Sequence, residues 1–462
     1  MAPAPGKRVM RIRSTEGMNG LELVSAAVEE AGRSGAEAAE AYFDRSEEIV
    51  IEVRDGEVEN LKVAQESGVG IRILRNGCLG FAYTSDWSWP AIQEAVGAAL
   101  ANARVASPDS FNNLPEPPAA YPEIDLRDPS LKEIPLEDKI ALARRIEQSG
   151  RSYDPRILVT EQAAYEESHY QVSIANSRGV SASDEGSYCG GAAALVAGAD
   201  GEQQSGFGLQ YTRSYAELNP DAIGREAAHK AVRLLGSRRL GTRRAAVVFD
   251  PYVVTNFLSV LAAALTAEAV QKGRSLFAGR IGERVAADGV TIIDDGTLRG
   301  GLMSAPFDGE GAPARRNVLV QDGILQGFMQ NSYTAARDGL DSTGNASRGS
   351  YKSPPELGST NFYLAPGNLG QDQIISQTAS GIYLTDVMGM HTVNPISGDF
   401  SVGAAGIWIE HGEFTTPVRG MVIAGNILEL LEGIDAVGRD LRFFVGKGAP
   451  TLRVARLTIS GE

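Results

Sequence analysis

From Leu21 to Ala31, apolar side chains recur at Leu21, Val24, Val28 and Ala31 with Glu22, Glu29 and Glu30 between them, the spacing of one face of an amphipathic helix. The period then shortens to two. Ile49, Ile51 and Val53 alternate with polar neighbours and run into Arg54-Asp55-Gly56-Glu57, where Asp-Gly is a strong hairpin signal. A second hairpin is predicted from Val69, Ile71 and Ile73 through Asn76-Gly77 to Leu79, Phe81 and Tyr83, followed by a helix from about Ala91 to Val105. The next stretch, Ser107 to Pro122, holds five prolines, which neither a helix nor a central strand tolerates, and reads as a linker.

Beyond it, Pro135 to Gln148 is helical, with Pro135 suited to the first turn. Ile157 to Tyr211 is strand-like, with turns at Ser177-Arg178-Gly179 and Asp200-Gly201, and a helix from Asp221 to Leu235 closes the region. From Ala245 onward short strands and turns dominate. Two more hairpins turn at Asp322-Gly323 and His411-Gly412, and helices are expected over about Val254–Gln271 and Asn426–Leu431. These patterns predict an α+β protein: a mobile tail at 1–17 with Met18 in position to be the natural start, an N-terminal α+β domain at 18–120 ending in the Pro-rich linker, a middle α+β domain at 121–242, and a β-rich C-terminal domain at 243–462.

Charge narrows the function. With 43 Lys+Arg against 58 Asp+Glu, the net charge of −15 disfavours sequence-independent binding to nucleic acid, which needs a cationic surface to displace counterions. Two cysteines, Cys78 and Cys189, are too few for a disulfide framework and fit a reduced, cytoplasmic setting. The longest uncharged apolar stretch, Tyr252 to Ala267, is too short and too polar to span a bilayer comfortably, so no membrane association is expected.

Among the familiar catalytic signatures, G-x-S-x-G, the phosphate loop and C-x-x-C are absent. Gly68-Val69-Gly70 and Gly206-Phe207-Gly208 lack the third glycine of a dinucleotide site and read as strand punctuation. None of the four histidines is followed by Glu, so no zinc ligand adjoins a general base. His169 and His229 read as solvated, His411 as a turn residue. His391 stands apart, adjoining the Gly-rich segment GMHTVNPISGDFSVGAAG. There Asn394, Ser397, Gly398 and Asp399, with His391, form either a surface that another backbone approaches closely or a tight Asx-stabilised turn. The small polar residues of Asp341 to Tyr351 line a cleft or form a loop, the loop being the plainer reading.

The order of segments resembles the TldD/PmbA (TldE) family, once described as modulators of DNA gyrase. The matches are VRDGEVEN with GVGIRI, GRSLFAGRIGE, NVLVQDGILQGFMQNSYTA, NPISGDFSVGAAGIWIEHGEFTTPVRG and NILELLEGIDAVGRDLRF, and they cover nearly everything after Met18. The resemblance implies dimers of two related subunits enclosing a proteolytic chamber. It also implies, for the TldD branch, a zinc site built from H-E-x-x-x-H on the helix before the GRSLFAGRIGE-like segment and a cysteine near the C-terminus. This chain departs from that pattern. The motif positions are Leu258, Ser259 and Ala263, and DLRFFVGKGAPTLRVARL holds no cysteine.

The expectation is therefore a non-catalytic TldE/PmbA-type subunit with no cofactor of its own, zinc in a TldD-type partner, and unfolded peptides as substrate, captured at His391, Asn394, Ser397, Gly398 and Asp399. A homodimeric peptide-binding or scaffolding protein is the alternative. An independent enzyme using His391 with Asp386 or Asp399 is a third.

Overall fold

A computed structural model describes residues 17–461. All of the predicted 1–17 tail except Gly17 lies outside the described residues. The chain opens with helix α1 (Gly20–Arg33), capped by Asn19 and Glu22 in a reciprocal capping box. Strands β1 (Ala38–Arg54), β2 (Glu57–Arg75) and β3 (Cys78–Thr84) and helix α2 (Trp89–Val105) follow. After the Pro-rich stretch come α3 (Leu136–Arg151), β4 (Ile157–Asn176), β5 (Ser181–Ala199), β6 (Glu202–Thr212) and α4 (Pro220–Val232). The strands form one six-stranded sheet in the order β3-β2-β1-β4-β5-β6. The Pro-rich stretch joins two halves of one hydrogen-bonded unit, since β1 pairs with β4 from Glu40↔Asn176 to Glu52↔Ala164.

Alternation along β1 explains the layering. Ala41 and Phe43 pack with Leu23, Val24, Ile92 and Val96 of α1 and α2, and Ile51 packs with Ile146 of α3 and Ala227 of α4. Tyr42, between Ala41 and Phe43, faces the other side and meets Phe307 and Tyr351 of the C-terminal region. Gly206 and Gly208 are indeed strand residues, and the backbone of α4 explains them. A Cβ on Gly206 would lie 2.3 Å from the Ala227 carbonyl oxygen, and one on Gly208 would lie 2.2 Å from that of Ile223.

The C-terminal region contains β7 (Arg243–Phe249), α5 (Pro251–Ala264), α6 (Ala267–Gln271), β8 (Ile292–Asp295), β9 (Arg316–Gln321), β10 (Ile324–Leu325), α7 (Ser332–Asp338), β11 (Ala346–Ser347), β12 (Glu356–Leu357) and β13 (Asn361–Leu364). It continues through α8 (Gln371–Ser376), β14 (Ser380–Met388), β15 (Asp399–Glu410), β16 (Glu413–Asn426), α9 (Ile427–Glu432), β17 (Ile434–Val437), β18 (Arg442–Phe444), β19 (Lys447–Ala449) and β20 (Leu452–Ser460). One sheet runs β10-β9-β8-β13-β19-β18. In the other, β16-β15-β14-β7-β20-β17, the extra β16–β20 pairing closes five strands on themselves. The apolar face of α5 shares one core with residues of both sheets.

Five predicted turns have the same mirror-image geometry. Asp55, Asn76, Asp200, Asp322 and His411 all lie at φ between 48° and 52° and precede a glycine at φ 72° to 80°. Two helix expectations are corrected. Val254–Gln271 is two helices, because Thr266 accepts a hydrogen bond from the Ala269 N–H and starts α6 afresh. Pro135 is the N-cap of α3 and stands outside its first turn. Among the described residues no helix is long and apolar enough to cross a membrane.

Candidate functional site

Helix α5 carries the positions at which the resemblance implies a zinc motif. Asp250 starts it, accepting from the Tyr252 N–H at 3.0 Å and from the Tyr383 hydroxyl at 2.6 Å, which ties the helix to β14. Leu258, Leu261 and Leu265 are buried, while Ser259 and Ala263 are exposed. The difference is geometric. Residues five apart on a helix point about 140° away from each other, so positions 258 and 263 cannot both face one ion without distortion. The Ser259 hydroxyl is engaged with the Thr255 carbonyl at 2.9 Å. These side chains offer no donor set for zinc, and among the described residues no group of three or more His, Cys, Asp or Glu is placed to hold a metal ion.

The less buried side of α5 runs from half-buried Tyr252 and Asn256 to exposed Ser259 and Ala263, spaced four, three and four residues apart. Tyr252 packs edge-on against Phe207 at 4.4 Å and Phe444 at 5.2 Å. Near it lies Asp386, on a bulge of β14 where the register with β15 shifts. Burial raises the Asp386 carboxyl above its ordinary value, against the lowering influence of the Val387 N–H and Lys230. An acid whose pKa is higher folded than unfolded contributes stability at low pH and loses it as pH rises through the folded value. Asp386→Asn should therefore gain thermal stability relative to wild type as pH goes from about 4 to about 8. Melting temperatures across that range check this; a constant difference would contradict it.

The segment after β14 is a self-satisfied turn. The Asn394 side chain accepts from the N–H groups of Ile396 and Ser397 at 2.9 and 3.2 Å. The Ser397 hydroxyl donates to Asp399 at 2.8 Å, and Asn426 donates to both the Ser397 carbonyl and the Asp399 carboxylate. Gly398, at φ +80°, sits in the left-handed region that favours glycine. These bonds hold the Asp399 carboxyl below the usual range. Asn394, Ser397, Gly398 and Asp399 are thus brought together. His391 is exposed on a short 3-10 turn, and no hydrogen bond joins it to Asp386 or Asp399 among the described residues. Met388 and Ile396 present exposed apolar side chains beside the turn.

His169 is corrected from a solvated to a largely enclosed side chain, 13% exposed, with Nε2 2.7 Å from Glu167. Glu167 also receives Lys139 at 2.6 Å and the Tyr165 hydroxyl at 2.6 Å. His229 is exposed as expected, with Nδ1 3.0 Å from the Tyr153 hydroxyl.

A second buried network joins the first sheet to the C-terminal region. Arg72 binds Glu40 at 2.6 Å and Glu310 at 2.9 Å. Arg348 binds Glu40 as well and lies 4.6 Å above the Tyr42 ring. The second Glu310 oxygen accepts from the Ser332 N–H at 2.9 Å. Nothing in the sequence pairs residues 40, 72, 310 and 348. Glu167 and His169 stand two apart on one strand face, and that spacing is the signal that could have found their contact, though not their burial.

Family models match the described chain in three parts: PmbA/TldA metallopeptidase domain 1 over residues 39–103, the central domain over 129–235 and the C-terminal domain over 242–461. A curated relative, the metalloprotease PmbA of Escherichia coli O157:H7, is 32% identical over 96% of each chain. The chain belongs to the PmbA/TldD metallopeptidase family. A TldD homologue of Haemophilus influenzae is 29% identical over 92% of each chain, so the likeness extends to both branches of the PmbA/TldD family. A Thermotoga maritima structure described as a modulator of a DNA gyrase superposes with a TM-score of 0.88 at 26% identity, covering 95% of this chain and 99% of that one. TldE from Thermococcus kodakarensis shares the fold, with a TM-score of 0.87 at 24% identity, covering 95% and 100%. The α+β fold with a β-rich C-terminal region is thus the PmbA/TldD fold.

Proposed function

We propose that this chain is the metal-free, TldE/PmbA-type subunit of a heterodimeric zinc metallopeptidase that degrades or processes unfolded peptides. The observation that carries the reading is α5. Where zinc ligands and a general base would stand, the helix has a core leucine, Leu258, and two side chains without metal-binding capacity at these positions, Ser259 and Ala263. Zinc and the activation of its water then belong to a TldD-type partner.

This chain supplies chamber wall and peptide contacts. Ser259 and Ala263 on α5 and the turn at 391–399, with exposed Ile396 in it and exposed Met388 before it, offer small and apolar groups to an extended peptide. An extended backbone bound largely through main-chain groups is recognised with weak sequence dependence, which suits unfolded substrates.

Mixing the purified chain with a TldD-type partner should yield hydrolysis of an unfolded peptide that neither component shows alone. Full activity of the partner by itself would overturn the proposal. Recovery of this chain from its own cell extract only with itself would point to a homodimeric peptide binder.

A further inference from the structure

Helices α1 to α4 cover one side of the first sheet. On the other side Tyr42, Ile174 and Ala182 are buried against Phe307 and against Tyr351, the last residue of the small polar loop from Asp341. Further along the same strands this second side opens. Glu48 and Lys62 are exposed there, and Val50, Glu166, Tyr188 and Tyr211 are half-buried. Alternation places all six on the Tyr42 side. Register sets their order: Lys62, Val50, Glu166, Gly190 and Tyr211 stand side by side across β2, β1, β4, β5 and β6. Ala64, Glu48, Ser168 and Tyr188 form the adjoining row.

Gly190 lets an aromatic ring lie across this face. A Cβ there would come within 2.1 Å of the Tyr211 ring, whose hydroxyl donates to Glu166 at 2.7 Å. Glu48 and Glu166 are diagonal neighbours on adjacent strands. Burial raises the Tyr188 phenol above its ordinary value and both carboxylates add to it, against the lowering hydrogen bond with Ser168. In the next row Glu52 accepts from the Asn60 side chain at 3.0 Å.

The bases nearby are accounted for. Lys62 is the one basic side chain on these three rows among the described residues, and no ion pair joins it to Glu48, Glu52 or Glu166. Lys352 pairs with Glu66, one row on. Arg213, beyond Tyr211, gives its N–H groups to backbone carbonyls and to the Tyr170 hydroxyl. Three carboxylates therefore share a sheet face with one ammonium, and like charges on neighbouring strands repel. The face leads to α5, because Phe207, on the same side of β6 as Tyr211, packs on Tyr252.

We propose that this face binds the lysine and arginine side chains of an unfolded peptide, whose cationic groups pair with Glu48 and Glu166 and pack against the Tyr188 ring. The inference rests on the peptide-binding reading above and adds to it a preference for cationic substrates. A metal ion is the poorer occupant, since among the described residues no three His, Cys, Asp or Glu side chains converge to hold one.

Fluorescence anisotropy of the full chain with labelled, unstructured Gly/Ser peptides carrying lysine, glutamine or glutamate at the same positions tests this at physiological ionic strength. The lysine peptide should bind about tenfold or more tighter than the glutamine peptide, and the glutamate peptide most weakly. Glu48→Gln with Glu166→Gln should abolish that preference, and Tyr188→Leu should weaken the lysine peptide about two- to fivefold. Glu47→Gln with Glu161→Gln, which removes the same charge from the same two strands, should keep the preference; Glu47 faces the helical side. Melting temperatures establish that each variant is folded. Equal affinity for the three peptides, or a preference that survives Glu48→Gln with Glu166→Gln, would overturn the inference and leave the peptide-binding reading standing. Binding of none of the peptides would count against that reading itself. Displacement of the lysine peptide by spermine at lower concentration than by unlabelled peptide would assign the face to a free polyamine and overturn the peptide assignment.

Discussion

Replacing Arg72 with methionine is expected to destabilise the protein by about 3–5 kcal/mol, among the largest effects of any single substitution outside the apolar core. Arg72 is buried between Glu40 and Glu310, whose side chains are each 1% exposed. Methionine fills much of the volume but leaves two carboxylates in a low-dielectric interior with less opposite charge. Arg348 still pairs with Glu40, so Glu310 suffers most, keeping the Ser332 N–H as its side-chain hydrogen-bond donor among the described residues. Adding Glu310→Gln to Arg72→Met should recover part of the loss, since a neutral amide costs less to bury than an unpaired charge. Denaturant midpoints of the wild type, both single variants and the double variant check this. A double variant no more stable than Arg72→Met would show that lost packing, and not unpaired charge, sets the cost.

The second large effect concerns α5. Leu258→His should cost about 3 kcal/mol or more, combining a lost core side chain with a buried polar ring. Ser259→Glu and Ala263→His, on the exposed stripe, should each stay within about 0.5 kcal/mol of wild type. Reinstating the three residue types of the zinc motif therefore damages the core at one position and leaves the surface intact at the other two. Urea unfolding of the three single variants measures the contrast, and equal costs at 258 and 263 would contradict the observed facing of the helix. Zinc binding is not expected in the triple variant, because the 258 and 263 side chains diverge and no cysteine follows Cys189.

The hairpins were legible because their turns are local. A mirror-image two-residue turn needs positive φ at both positions, and Asp-Gly, Asn-Gly and His-Gly announce that requirement within two residues. Helix α1 was legible from its spacing, and the structure added the Asn19–Glu22 capping box at its start. The break between α5 and α6 was harder to see. Leu265 continues the apolar period, and the capping role of Thr266 competes with a pattern that reads as one helix. His169 was misread as solvated because a polar strand segment does not reveal that its neighbours on the same face, Glu167 among them, are enclosed beneath α3. At 389–399 the residues themselves left two readings open. The structure adds the internal hydrogen bonds that make it a tight turn and the exposed Met388 and Ile396 beside it.

What the sequence determined by itself were features set by neighbours within a few positions: helix faces, strand alternation, hairpin turns and the loss of donor residues along α5. Its ordered motifs also carried the resemblance to the PmbA/TldD family. Only the tertiary structure decided that strands on either side of the Pro-rich stretch form one sheet, and that Glu40, Arg72, Glu310 and Arg348 meet at the buried interface. It also decided that Glu48, Glu166 and Tyr188 stand together on one face of the first sheet. Contacts between residues hundreds of positions apart leave no period in the chain. They arise when a sheet with helices on one face buries its other face against a separate core, and the charges caught between must find partners there.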